Sequence, residues 1–266
     1  NLINYIIISN PPINLTIIDS LTTGNALRFI NDAQNNTITY VNIQGSSRGS
    51  TTNGVVQFTN SATTAGNSNN TISNCDITKG DTLPQVMIYS NTNTGTNTSN
   101  TITNNNIHDW FYTAGSNYGI NLGANNATWT ISNNSFYQST SQTFNTGNNT
   151  HAAINIAGAG GPGGGSSGSG FIISGNFIGG AAPNCGGVPW TINGIATPRF
   201  NGISMNAGTT TFSEINGNTI RNISLTTAAA AGGGPGGGGA TIFNGINISG
   251  GNVNIGTATG NTIGSN

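Results

Sequence analysis

Thr101-Ile102-Thr103-Asn104-Asn105-Asn106-Ile107 sets two isoleucines five residues apart, with consecutive asparagines at the bend between them. The same step recurs at Ile38…Ile43, Ile72…Ile77, Ile131…Phe136, Ile173…Ile178 and Ile215…Ile220. The third residue after each leading isoleucine is Val41, Cys75, Asn105, Asn134, Asn176 or Asn218, and the second is Tyr40, Asn74, Asn104, Asn133, Gly175 or Gly217. A weaker copy, Gly260-Asn261-Thr262-Ile263, closes the chain. Successive copies lie 29 to 42 residues apart, so the chain is a repeat protein with loops of variable length.

A second column of alternating apolar pairs lies between the copies: Leu27/Phe29, Val56/Phe58, Val86/Ile88, Ile120/Leu122, Ile154/Ile156, Ile203/Met205 and Ile246/Ile248. Residues i and i+2 of a strand share a face, so each pair points into a common interior. One repeat is therefore a coil of short strands. The corner between two strands needs a residue that accepts positive φ, and Gly and Asn do so at least cost. An asparagine stacked at the next position can bond to its equivalents in the coils above and below, which predicts a ladder through Asn105, Asn134, Asn176 and Asn218. No stretch carries a helical period, and Gly, Asn, Thr and Ser are poor helix formers.

The chain has 266 residues, with 46 Asn and 41 Gly but five Lys or Arg and six Asp or Glu, for a net charge of −1. That balance excludes a basic nucleic-acid surface. The longest apolar run, Tyr5-Ile6-Ile7-Ile8, is too short to span a bilayer, and no targeting signal precedes it. Residues 1–266 read as a single solenoid domain, with 1–20 as a leading strand or partial first coil. The start at Asn1 and the stop within a repeat at Asn266, with no polar cap, lead us to expect a longer polypeptide. Cys75 and Cys185 are about three coils apart, too far for a disulfide unless a long loop closes the gap, and are expected to be unpaired.

The stretches Thr101–Ile107 and Trp129-Thr130-Ile131-Ser132-Asn133-Asn134-Ser135-Phe136 resemble the repeats of right-handed parallel β-helix proteins, the pectate-lyase-like superfamily. The resemblance runs from about residue 20 to the end and implies an all-β, right-handed parallel β-helix (β-solenoid) of about seven to eight coils with variable Gly-rich loops. It says little about function, because this scaffold hosts lyases, hydrolases and surface proteins. The charge-poor Asn/Thr/Gly composition resembles large repetitive adhesins of bacterial cell surfaces, including those of Bacteroidota. That likeness implies an extracellular or cell-surface rod that meets glycans or other surface proteins, and we expect no enzyme; the alternative that the β-helix resemblance leaves open is a polysaccharide-active enzyme or a carbohydrate-binding β-helix.

The carboxylates are Asp19, Asp32, Asp76, Asp81, Asp109 and Glu214. A glycosidase needs two carboxylates flanking the bond, and a Ca²⁺ site needs several oxygen ligands. Asp76 and Asp109 come close in register, yet no third group is evident beside them, so no catalytic residue is assigned. His108 and Asp109, followed by Trp110-Phe111-Tyr112, form the candidate ligand-binding stretch, with the aromatics available to stack on sugar rings. Against this, neighbouring residues of a strand face opposite sides, which would separate His108 from Asp109 and leave the aromatics folded over the coil edge. Scattered Cys and His lack metal-ligand spacing, so neither metal nor cofactor is implied.

The residues flanking the repeat isoleucines, Thr37/Thr39, Thr71/Ser73, Thr101/Thr103 and Thr130/Ser132, predict a flat hydroxyl array that resembles ice-binding solenoids. It breaks at Ile172/Ser174 and Glu214/Asn216. Two Gly-rich insertions, 158–165 and 232–239, read as contact loops rather than phosphate loops, because no Lys-Ser/Thr follows them. Asp19-Ser20-Leu21 and Asp81-Thr82-Leu83 resemble the short O-glycosylation motif of Bacteroidota, which would place glycans on Ser20 and Thr82. Asn14-Leu15-Thr16 and Asn133-Asn134-Ser135 fit the N-glycosylation triplet, at a frequency that chance explains.

Overall fold

A computed structural model describes residues 7–9, 11–12, 15–59, 62–92, 94–145, 149–158, 168–194, 198–227 and 243–264. The Gly-rich segments 159–165 and 232–239, and Asn14, lie outside the described residues. All regular structure among the described residues is strand. The chain visits three long sheets in turn and returns to the first, building two eight-stranded sheets and one seven-stranded sheet. Every pairing between strands is parallel, the arrangement of a parallel β-solenoid.

The five-residue step is the corner between the first and second sheets. Ile38, Ile72, Ile102, Ile131, Ile173 and Ile215 align rung by rung in the first sheet. Ile43, Ile77, Ile107, Phe136, Ile178 and Ile220 do so in the second. All twelve are buried, and each contributes on the order of 2 kcal/mol of apolar transfer, an upper bound because unfolded chains already bury part of it. Between the two columns Asn74, Asn104 and Asn133 have φ of 52, 56 and 55°, and Gly175 and Gly217 have 65 and 66°. One left-handed residue turns the chain without a loop. Tyr40 takes the same conformation at φ 57° with a bulky side chain.

The next residue points inward and forms a ladder. Asn134 Oδ1 accepts both the backbone N–H and the side-chain amide of Asn105, each at 3.0 Å. Its Nδ2 donates to Ile102 O at 2.9 Å and Asn176 Oδ1 at 3.0 Å. An amide has two donors and two lone pairs, and all four are used. Asn176 and Asn218 repeat the pattern, Asn105 does so except that its Oδ1 accepts only the backbone N–H of Cys75, and Asn261 carries it one rung further.

Two features depart from the sequence reading. In the third sheet Val56 and Phe58 align with Ile88 and Ser90, not with Val86 and Ile88. The pair that continues the column on this rung is therefore Ile88 and Ser90, and Ser90, fully buried, donates to Asn126 Oδ1 at 2.5 Å and accepts Asn97 Nδ2 at 3.0 Å. A second ladder, which the copies did not reveal, lies at the corner before the first sheet: Asn36, Asn70 and Asn100, each preceded by a residue of positive φ. At Trp129 the ladder changes chemistry. Its indole Nε1 donates to Asn97 O at 2.9 Å, the bond that Asn100 Nδ2 makes to Asn67 O one rung before. Cys75 and Cys185 are buried free thiols, and burial raises both above the ordinary thiol range.

Candidate functional site

His108 ends a strand of the second sheet, Asn106–His108, and faces outward because Ile107 faces in. Its Nε2 lies 3.1 Å from Asp76 Oδ1 on the preceding rung, and its Nδ1 lies 3.0 Å from Asp109 Oδ2. The expectation that His108 and Asp109 point apart is corrected. The strand stops at His108, and Asp109, at φ 62°, swings its side chain back to the same side. His108 is also the third group that the reading of Asp76 and Asp109 lacked.

The next rung completes the cluster. The Tyr137 ring stacks on the imidazole at 4.5 Å and 7°. Ser139 donates its backbone N–H to Asp109 Oδ1 at 2.8 Å, and its hydroxyl lies 2.8 Å from each carboxylate oxygen. Burial works against charge on His108, but hydrogen bonds to Asp109 and Asp76 and their negative charges outweigh it and raise the imidazole to about 9. Burial likewise opposes charge on Asp109, and its bonds from His108 and Ser139 still hold the carboxyl below the usual range. Burial, together with the charges of Asp76 and Asp109, pushes the Tyr137 phenol up. At neutral pH the imidazolium therefore has both N–H groups committed to carboxylates and no lone pair for a general base. The arrangement ties three consecutive rungs together.

Trp110 and Phe111 are not a sugar platform. Trp110 is fully buried and Phe111 is 5% exposed. Both pack around His151, which stacks on Trp110 at 5.5 Å, meets Trp190 edge-to-face at 5.1 Å and lies tilted against Phe111 at 5.8 Å. Burial alone pulls His151 down to about 3, so it is neutral. The two polar rungs beside it are linked, Gln142 to Gln138 and Trp190 Nε1 to Gln142 Oε1 at 3.1 Å. Sequence reading could not place His151 here, because its contacts come from three segments distant in sequence: Trp110 and Phe111 after one strand, and Phe144 and Trp190 on two others.

Tyr112 is half-buried and helps to line a groove of about 670 Å³ with Arg48, Thr82 and Leu83. Thr82 Oγ1 lies in that wall and donates to Ser46 O at 3.2 Å, whereas Ser20 is exposed. The Thr/Ser ranks are in register: Thr37, Thr71, Thr101 and Thr130 form one, Thr39, Ser73, Thr103 and Ser132 the other. Their hydroxyls pair along the sheet, with Thr39 3.1 Å from Ser73 and Thr103 2.9 Å from Ser132. Among the described residues no group of three or more His, Cys, Asp or Glu is arranged to hold a metal ion, and no helix is long and apolar enough to cross a membrane. Compared with known protein families, curated proteins and solved structures, the chain matches none.

Proposed function

We propose that the chain is a structural and adhesive segment of a secreted or cell-surface repeat protein, a right-handed rod of about seven to eight coils that presents contact loops to glycans or other surface proteins. The observation that carries this reading is the continuous stacking: backbone ladders run along the described chain, and the asparagine ladder runs from Asn105 to Asn261, with almost no charge. Cross-strand bonding of that kind gives stiffness without a large globular core, and an Asn/Thr surface stays hydrated. The Asp76–His108–Asp109 cluster fits the same role, as a clamp between rungs rather than an acid–base pair.

An antibody raised against residues 1–266 tests the reading on intact source cells. Labelling without permeabilisation supports it, and labelling only after lysis overturns it. A carbohydrate-binding reading has its own observation, Arg48 and the half-buried Tyr112 lining one groove. Tyr112→Ala would then weaken retention on an immobilised glycan while leaving the melting temperature unchanged.

A further inference from the structure

The repeat breaks its own rules twice at one place. In the first sheet the outward rank that reads Thr71, Thr101 and Thr130 continues as Ile172, Glu214 and Asn254. At the adjoining corner the left-handed asparagines Asn74, Asn104 and Asn133 give way to Gly175 and Gly217, whose missing side chains lower the corner. Together these changes open a groove of about 730 Å³ on an otherwise flat face. Ile172, 44% exposed, supplies an apolar floor, and Glu214 stands on the next rung.

Glu214 is held in place. Asn254 Nδ2 donates to Oε1 at 2.7 Å, and Asn216 Nδ2 and Thr257 Oγ1 donate to Oε2 at 3.1 and 3.2 Å. The bonds from Asn254 and Asn216 keep the carboxyl below its usual range. A carboxylate offers about four acceptor positions, so three donors leave one for a ligand hydroxyl. Asn133, Ser174 and Thr259 also line the groove, and Glu214 is the one charged residue among its described lining.

We propose that this groove binds an uncharged saccharide, with a ring face on Ile172 and a ring hydroxyl donated to Glu214. The charge pattern selects that class. A phosphate, sulfate or uronate ligand would meet a fixed carboxylate and no cation, and a bare metal ion would find one carboxylate already occupied by three donors. An apolar floor with a few convergent polar groups suits a polyol, which needs both. The groove crosses four consecutive rungs, roughly 14 Å at the spacing of paired strands, which is room for a short oligosaccharide. This inference names a ligand class for the adhesive rod proposed above; surface exposure of the rod is tested separately and does not depend on it.

The test is calorimetric titration of the whole chain with soluble cello-, xylo-, manno- and chito-oligosaccharides, with oligogalacturonate as the charged comparison. At least one uncharged oligosaccharide is expected to bind and oligogalacturonate is not. Glu214→Gln is expected to weaken that binding about tenfold, the effect of losing one charge-assisted hydrogen bond. Gly217→Asn is expected to abolish it: asparagine accepts the positive φ, and its Cβ would sit 3.4 Å from Thr259, so the groove fills while the fold stands. Thr101→Ala, on the flat part of the same face, leaves binding unchanged. The inference is overturned if no uncharged oligosaccharide binds, if oligogalacturonate binds as well, or if folded Glu214→Gln and Gly217→Asn bind as the parent does.

Discussion

His108 Nε2 lies 3.1 Å from Asp76 Oδ1 across two rungs of the solenoid, a charged contact in a chain with almost no charge. Because the folded-state value rises from 6.5 to about 9, the stabilisation is fully present below pH 6.5 and is lost as pH rises through 9. Its size is on the order of 3 kcal/mol, since one unit of pKa is about 1.4 kcal/mol. Thermal melting of the parent and His108→Gln should therefore differ most near pH 6 and converge at pH 10. A gap that stays constant across that range would show that the cluster holds by packing, not charge.

His151 carries the opposite sign. Its folded value is depressed from 6.5 to about 3, so its contribution is complete above pH 6.5 and falls away as the unfolded state takes up a proton below that. At pH 5 the loss amounts to about 2 kcal/mol. His151→Phe fills the same aromatic box formed by Trp110, Trp190 and Phe144 and has no proton to gain. Its acid-unfolding midpoint should move to lower pH than that of the parent, read by circular dichroism from pH 7 to 3. The two histidines together set the stability maximum of this pair near pH 6.5.

The sheets were legible because Ile72, Ile102 and Ile131 follow a local rule: one five-residue corner, one period of two. The left-handed corner residues Asn74 and Asn104 followed from the same rule. What escaped was set by contacts distant in sequence. Ser90 replaces an apolar residue in the core only because Asn97 and Asn126 fold over it, and nothing next to Ser90 announces those partners. The pairing of His108 with Asp109 turned on one backbone angle, the φ of 62° at Asp109. The second ladder was visible as Asn35-Asn36 and Asn69-Asn70 before each Thr-Ile, but Trp129 disguised its continuation by replacing an amide donor with an indole.

Asn134 makes four hydrogen bonds in the dry interior. Asn134→Ala strands the backbone N–H of Asn105 and the carbonyl of Ile102 and halves the partners of Asn176 Oδ1. Leaving buried groups unpaired costs about 1 to 3 kcal/mol each, so the variant should lose about 3 kcal/mol or more. Denaturant midpoints check this, with Thr130→Ala on the solvent face expected to change stability by less than about 0.5 kcal/mol.

Cys75 occupies the rung where the ladder stops. Its backbone N–H donates to Asn105 Oδ1 at 2.9 Å, as each asparagine's does to the next, but its thiol reaches only 3.7 Å toward Ile38 O. That carbonyl is the counterpart of Ile72 O and Ile102 O, which accept the amides of Asn105 and Asn134 at 3.0 and 2.9 Å. An asparagine at this position would donate to Ile38 O and to Asn105 Oδ1, and its own oxygen would face the backbone N–H of Val41 on the rung before. Cys75→Asn should therefore extend the ladder and stabilise the chain by about 1 kcal/mol, the net worth of a well-made buried hydrogen bond. The comparison is with Cys75→Ser, which is close to the thiol in size but cannot span the gap and should be destabilising. If Cys75→Asn melts no higher than Cys75→Ser, the ladder ends at this rung for want of space and not for want of an amide.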